Sequence, residues 1–165
     1  MFRKIDDFVN NFTFEMKATQ AVLDALTDES LNQSINDDHR TIGRIGWHIC
    51  ETYPQMLNQL GLTLDDIKPP VPTSAKEIAA TYARLSKTLI EFVKTNWQDT
   101  TLEQTDDLYG EVWARGKTLL IFIVHEVHHR GQITVLMRQA DIVVPSIYGP
   151  AKEGWKEYGT EPPKV

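Results

Sequence analysis

Four stretches of this chain repeat apolar residues at three- and four-residue steps, and no stretch alternates them convincingly with polar ones. That period belongs to helices, each needing to bury one stripe, and no sheet is expected to receive them. The first stretch runs from about Phe2 to Leu26, with Ile5, Phe8, Val9, Phe12, Met16, Leu23 and Leu26 on a stripe that only Thr19 interrupts. The second opens near Thr41 and reaches Leu60, with Gly61 as C-cap and Pro54 predicting a kink. The third follows Pro69-Pro70-Val71-Pro72; Ser74 and Glu77 have capping-box spacing, and Ile78, Tyr82, Leu85, Leu89 and Phe92 form a narrow seam. The fourth, about Lys117 to Ala140, contains Leu119-Leu120-Ile121-Phe122-Ile123-Val124, apolar on every side. Such a segment wants burial on two faces, by a core and by a partner chain. Four helices in 165 residues predict an all-α four-helix bundle, with residues 1–165 as one domain.

The connections sharpen this. About twenty residues separate Trp97 from the fourth helix, where bundle loops take about 2–8, so the third and fourth helices need not be antiparallel neighbours. A small hairpin is expected at Tyr109 to Gly116. The tail, residues 141–165, is rich in Pro and Gly and therefore irregular. It also holds Tyr148, Trp155 and Tyr158, which argue that it packs back onto the bundle.

Composition removes several functions. The net charge of −6, from 17 basic against 23 acidic residues, argues against a general nucleic-acid binder. No apolar run reaches the roughly 18 residues a bilayer span needs, and the acidic turn at Asp6-Asp7 does not suit a signal peptide. A cytoplasmic protein is expected. The single cysteine, Cys50, allows neither an internal disulfide nor a thiolate metal site.

The chemistry concentrates in His125-Glu126-Val127-His128-His129-Arg130-Gly131-Gln132. Residues four apart on a helix differ by about 40° around the axis, so His125 and His129 project side by side. Thr118, Ile121, Phe122, Gln132 and Leu136 fall within about 60° of that pair, which makes its face largely apolar. Two imidazoles there need partners for their nitrogens, and a shared cation supplies one. In the second helix Thr41, Glu51, Thr52 and Gln55 cluster beside His48, next to the apolar stripe. If the second and fourth helices are neighbours, His48, His125 and His129 converge. Cys50 lies about 200° around the helix from His48 and reads as a buried apolar filler. His128 projects about 80° from the pair and is a poor co-ligand, and His39 sits in a polar turn.

His125-Glu126-Val127-His128-His129 also satisfies the zinc-protease pattern H-E-x-x-H, but no strand set for a cleft and no downstream third ligand accompany it. A broader likeness spans most of the chain. Ile42-Gly43-Arg44-Ile45-Gly46-Trp47-His48-Ile49, the HxxHHRGQ segment, Leu136-Met137-Arg138-Gln139-Ala140 and Val144-Pro145-Ser146-Ile147-Tyr148-Gly149-Pro150 together resemble the DinB/YfiT-like superfamily of small metal-binding bundles. The resemblance implies an up-down-down-up bundle, often a homodimer, with one divalent ion on three histidines that map onto His48, His125 and His129. Nothing here resembles the DNA polymerase that shares the family's label: the chain is too short and too acidic.

Three neutral imidazoles would leave the ion an open coordination position, the arrangement of a catalytic site. The set suits several metals, with zinc or nickel foremost. Some relatives act as thiol S-transferases. The expected function is therefore a metal-dependent enzyme acting on a small molecule, first a transferase using a low-molecular-weight thiol. A hydrolase and a non-enzymatic metal-binding stress protein are the alternatives. Glu126, Glu51 and Gln132 are candidates for groups that support the ligands or handle protons, with Glu126 alternatively a solvated helix residue. The second helix, the Trp97–Gly116 link and the tail are expected to wall the pocket.

Overall fold

In a computed structural model, which describes residues 1–164, the expected helices are all present: α1 (Ile5–Asp24), α2 (Ile42–Thr52), α3 (Ala75–Asn96) and α4 (Arg115–Gln139). The apolar stripes meet in one core, where Phe8, Phe12, Ile42, Ile49, Ile78, Tyr82 and Leu89 are fully buried. On α4 the all-round apolar run divides: Leu119, Phe122 and Ile123 enter the core, Leu120 and Ile121 are half-buried and Val124 is exposed.

Contacts between side chains fix the direction of every helix. α1 and α2 each pack against both α3 and α4. Gln20, late in α1, donates to the Ala79 carbonyl, early in α3, so those two helices run antiparallel. Phe2 pairs its backbone with Gly116, and further along Thr19 reaches Glu126, so α1 and α4 run parallel. Gly46 lies against Ile78, and Tyr53 lies against Tyr82, which makes α2 and α3 parallel. Tyr53 also meets Phe122 while His48 meets His129, so α2 and α4 are antiparallel. The result is up-down-down-up. Helices consecutive in sequence, α1–α2 and α3–α4, are not the packed pairs, and this is why their links must be long.

Four local details differ from expectation. The second helix ends at Thr52 rather than Leu60. Pro54 has no N–H to continue it, and the chain widens into a π turn over Tyr53–Leu57 before closing at Gly61 with φ +95°. Ser74 stands at the N-cap of α3, but its hydroxyl makes no capping bond; Asp28 Oδ1 instead accepts from the Ala75 N–H at 2.7 Å. The hairpin lies earlier than Tyr109–Gly116. Its strands are β1 (Thr105–Leu108) and β2 (Glu111–Ala114), and Tyr109 and Gly110, at φ +56° and +82°, form the turn. Arg115 holds Asp106 through two bonds of 2.8 and 2.9 Å, fixing the hairpin to the start of α4. Gly116 is required by close approach: a Cβ there would lie 2.1 Å from the Phe2 carbonyl oxygen.

Within the tail, Ile142, Val144 and Ile147 pack against the core, and Tyr148 stacks on Phe14 at 5.8 Å. Arg138 grips Glu153, whereas Tyr158 is exposed. Among the described residues, no helix is long and apolar enough to cross a membrane.

Candidate metal centre

α2 and α4 are packed neighbours, and this brings His48 beside His125 and His129. One nitrogen from each ring lies within 4.8 Å of the others, and the Nε2 atoms of His125 and His129 are 3.1 Å apart. Thr41 opens α2 by accepting from the Arg44 N–H, which sets the phase that turns His48 toward α4.

All three rings are held neutral. Burial pushes the pKa of each below 6.5, and their mutual repulsion and the nearby Arg40 charge add to this at His48 and His125. His125 falls to about 4. For His129 burial is again the first cause, and the bond to Gln132 works the other way. Gln132 Oε1 accepts from His129 Nδ1 at 2.7 Å, leaving the Nε2 lone pair turned to His125. Near His48, Glu51 Oε2 is 3.6 Å from Nδ1, too long for a hydrogen bond but close enough to favour a proton on that nitrogen. Arg44 Nη2 fixes this carboxylate at 2.7 Å. His125 Nδ1 is buried and has no partner among the described residues.

The donor set fits a divalent cation. Two facing lone pairs at 3.1 Å repel each other unless a proton or an ion lies between them, and their spacing is close to the edge of about 3.3 Å between ligands of tetrahedral zinc. A third neutral imidazole nearby completes an all-nitrogen set with no protein atom as fourth ligand among the described residues.

Two clefts end at these rings. The larger, about 470 Å³, reaches His129 and Gln132 and is otherwise lined by Ile45, Val135, Leu136 and the 35–40 segment. The smaller, about 230 Å³, reaches His48 and His125 and is walled by Thr52, Gln55, Met56, Ile121 and the hairpin's Tyr109 and Trp113. The expectation of walls from α2 and the Trp97–Gly116 link is met. The tail lines neither cleft; the α1–α2 link does instead.

Glu126 requires correction. It is neither solvated nor at the histidines: it is 2% exposed, and its carboxylate accepts from Thr19 Oγ1 and Tyr82 OH at 2.7 Å and from Tyr53 OH at 3.3 Å. Burial pushes its pKa up while those hydroxyls pull it back. A protease-type base is thereby excluded, because the H-E-x-x-H glutamate points into the core. Adjoining it, Arg130 bonds to Thr19, to Glu15 Oε2 at 2.7 Å and to Tyr148 OH at 2.6 Å. None of Arg130, Glu15, Tyr53 or Tyr82 had been singled out as polar partners. One signal was present: Glu126 and Arg130 share a stripe with Leu119, Phe122, Ile133 and Met137, all core residues. Cys50 is buried as expected, its thiol pushed up by burial, and His128 and His39 are exposed.

The comparisons with known proteins agree with this fold and this set. The model of the DinB family matches residues 1–163. This chain belongs to the DinB family. It is 44% identical to YrdA of Bacillus subtilis strain 168 over 167 residues, with both chains fully covered. A DinB-like protein from Bacillus cereus superposes with a TM-score of 0.86 at 42% identity, covering 90% of this chain and all of that one. YfiT from Bacillus subtilis, reported as "a probable metal-dependent hydrolase with an unusual four-helix bundle topology", has a TM-score of 0.64 at 16% identity, covering 83% of this chain and 87% of its own. That last likeness is one of fold.

Proposed function

We propose that this DinB-family protein is a metal-dependent enzyme that joins a low-molecular-weight thiol to an electrophilic partner, with His48, His125 and His129 as the metal ligands. The observation that carries this reading is the pair of clefts. They share no lining residue, yet both end at the same three imidazoles, one at His129 and the other at His48 and His125. A reaction between two organic molecules needs two such approaches, whereas hydrolysis needs room for one organic molecule and a water.

A divalent ion on three neutral imidazoles supplies Lewis acidity, which brings a thiol to its nucleophilic form at neutral pH. The chain's own residues prepare that site. Gln132 sets the His129 tautomer, and Glu51, itself held by Arg44, orients His48. Met56, Ile121 and Trp113 give the smaller cleft an apolar wall that limits water. With an epoxide as partner, the sulfur–carbon bond forms as a carbon–oxygen bond breaks, and the thiol proton ends on the released oxygen.

The test is product formation from a thiol and an epoxide by protein purified without an affinity tag and loaded with zinc or nickel. Turnover should require both metal and thiol and should vanish in His48→Ala and His125→Ala. The hydrolase reading draws on the name given to YfiT and on the same donor set. Ester cleavage without thiol, by the same loaded protein, would establish it instead.

A further inference from the structure

We infer that the larger cleft binds an amphipathic organic anion, an acid group on an apolar body, and that Arg40 is the residue that recognises its charge. This rests on the reading of the histidines as the reactive centre, and it names the class of molecule that reaches them. The cleft has a direction. His129 and Gln132 stand at the metal end, Ile45, Val135 and Leu136 supply an apolar wall, and Ile35, His39 and Arg40 complete it from the α1–α2 link. Its volume of about 470 Å³ falls within the range of small-molecule sites, about 300–1,000 Å³. Ile35 and Val135 lie in it 64% and 56% exposed, apolar surface that an apolar ligand body would cover.

Charge selects the ligand's other end. Arg44, Arg115, Arg130 and Arg138 each hold a carboxylate. Among the described residues Arg40 holds none, although it lines the cleft and the chain carries net charge −6. Its position is prepared. On one side Asn36 Oδ1 accepts from the Asp38 N–H at 3.1 Å and bonds His39 Nδ1 at 2.5 Å, closing a turn; on the other Thr41 caps α2. Arg40 is thus carried on backbone tied at both ends. Its field reaches the histidines, where it helps keep all three unprotonated. Asp38 lines the same cleft and opposes an anion, so it limits affinity and confines the acid group to the Arg40 side.

The experiment is calorimetric binding of 6-mercaptohexanoate and of its uncharged counterpart 6-mercaptohexanol to metal-free and zinc-loaded protein. Wild type should bind the acid about tenfold more tightly than the alcohol in both forms. Arg40→Gln should erase that preference and leave the alcohol unchanged, Arg40→Lys should keep part of it, and Asp38→Asn should enlarge it. Equal affinity for both probes in wild type, or a preference that survives Arg40→Gln, overturns the inference. A separate outcome addresses the metal. If zinc strengthens neither probe while the Arg40-dependent preference persists, the assignment of the cleft stands and the thiol-transferase reading falls.

Discussion

Helix α4 carries two polar clusters back to back, and they are built on opposite terms. His125 and His129 turn toward α2 and end two clefts; Glu126 and Arg130, each one residue further on, turn into the core. In the core cluster the polar groups find partners: three hydroxyls serve Glu126, and Thr19, Glu15 and Tyr148 serve Arg130. In the histidine cluster a ring nitrogen is orphaned and two lone pairs face each other. Satisfied buried polarity fixes a structure, and polarity left unsatisfied beside a cavity is available to a ligand.

The largest expected effect tests that division directly. In metal-free protein, Arg130→Ala should lower unfolding stability by about 3–5 kcal/mol, because Glu15 and Thr19 lose a buried partner. His125→Ala should change the same urea midpoint little while abolishing zinc binding, since it removes the partnerless nitrogen and relieves crowding. A His125 variant that unfolds as readily as the Arg130 variant would break the contrast, because the triad would then be a structural cluster.

Next in size is the support of one ligand. Gln132→Ala frees His129 Nδ1 and should weaken zinc binding by about 10- to 100-fold, measured by competition with a chromophoric chelator. The fold should be unaffected, because Gln132 is exposed.

A smaller effect follows from the lowered histidine pKa values. The unfolded chain takes up protons near pH 6.5, whereas the folded chain resists them, down to about 4 at His125. Stability of the metal-free protein should therefore be complete above about pH 6.5 and decline as the pH falls from there toward 4. His125→Ala should flatten this slope in urea titrations at successive pH values. A slope unchanged by the substitution would assign it to other groups.

How much of this was legible in the sequence depends on whether a residue's partners were local. The helices were readable because Phe8, Ile49, Ile78 and Leu119 repeat at the helical period and that period decides burial. The histidine pair was readable because its spacing lies within one helix, and His48 joined it once α2 and α4 were neighbours. Glu126 was misread because charge was weighed above its position on the core stripe, and its partners Thr19, Tyr53 and Tyr82 come from three distant segments. Ser74 failed as a capping box for a related reason: Asp28, 47 positions away, took the donor of Ala75. The 35–40 segment carried no periodicity, so its place at the cleft could emerge only from the packed structure.

The smallest effect separates the tail from the core it touches. Tyr148 OH accepts from Arg130 Nη2 at 2.6 Å and donates to Glu15 Oε2 at 2.8 Å, while its ring remains 66% exposed on Phe14. Tyr148→Phe keeps the ring contact and removes both bonds, but Arg130 and Glu15 still hold each other at 2.7 Å. The cost should be only about 0.5–1.5 kcal/mol, and zinc affinity should not change because the tail lines neither cleft. Amide exchange would show where the loss falls: faster exchange confined to residues after Asp141 is the expected result. A cost matching that of Arg130→Ala would mean instead that the tail, rather than the salt bridge of α1 with α4, closes the core cluster.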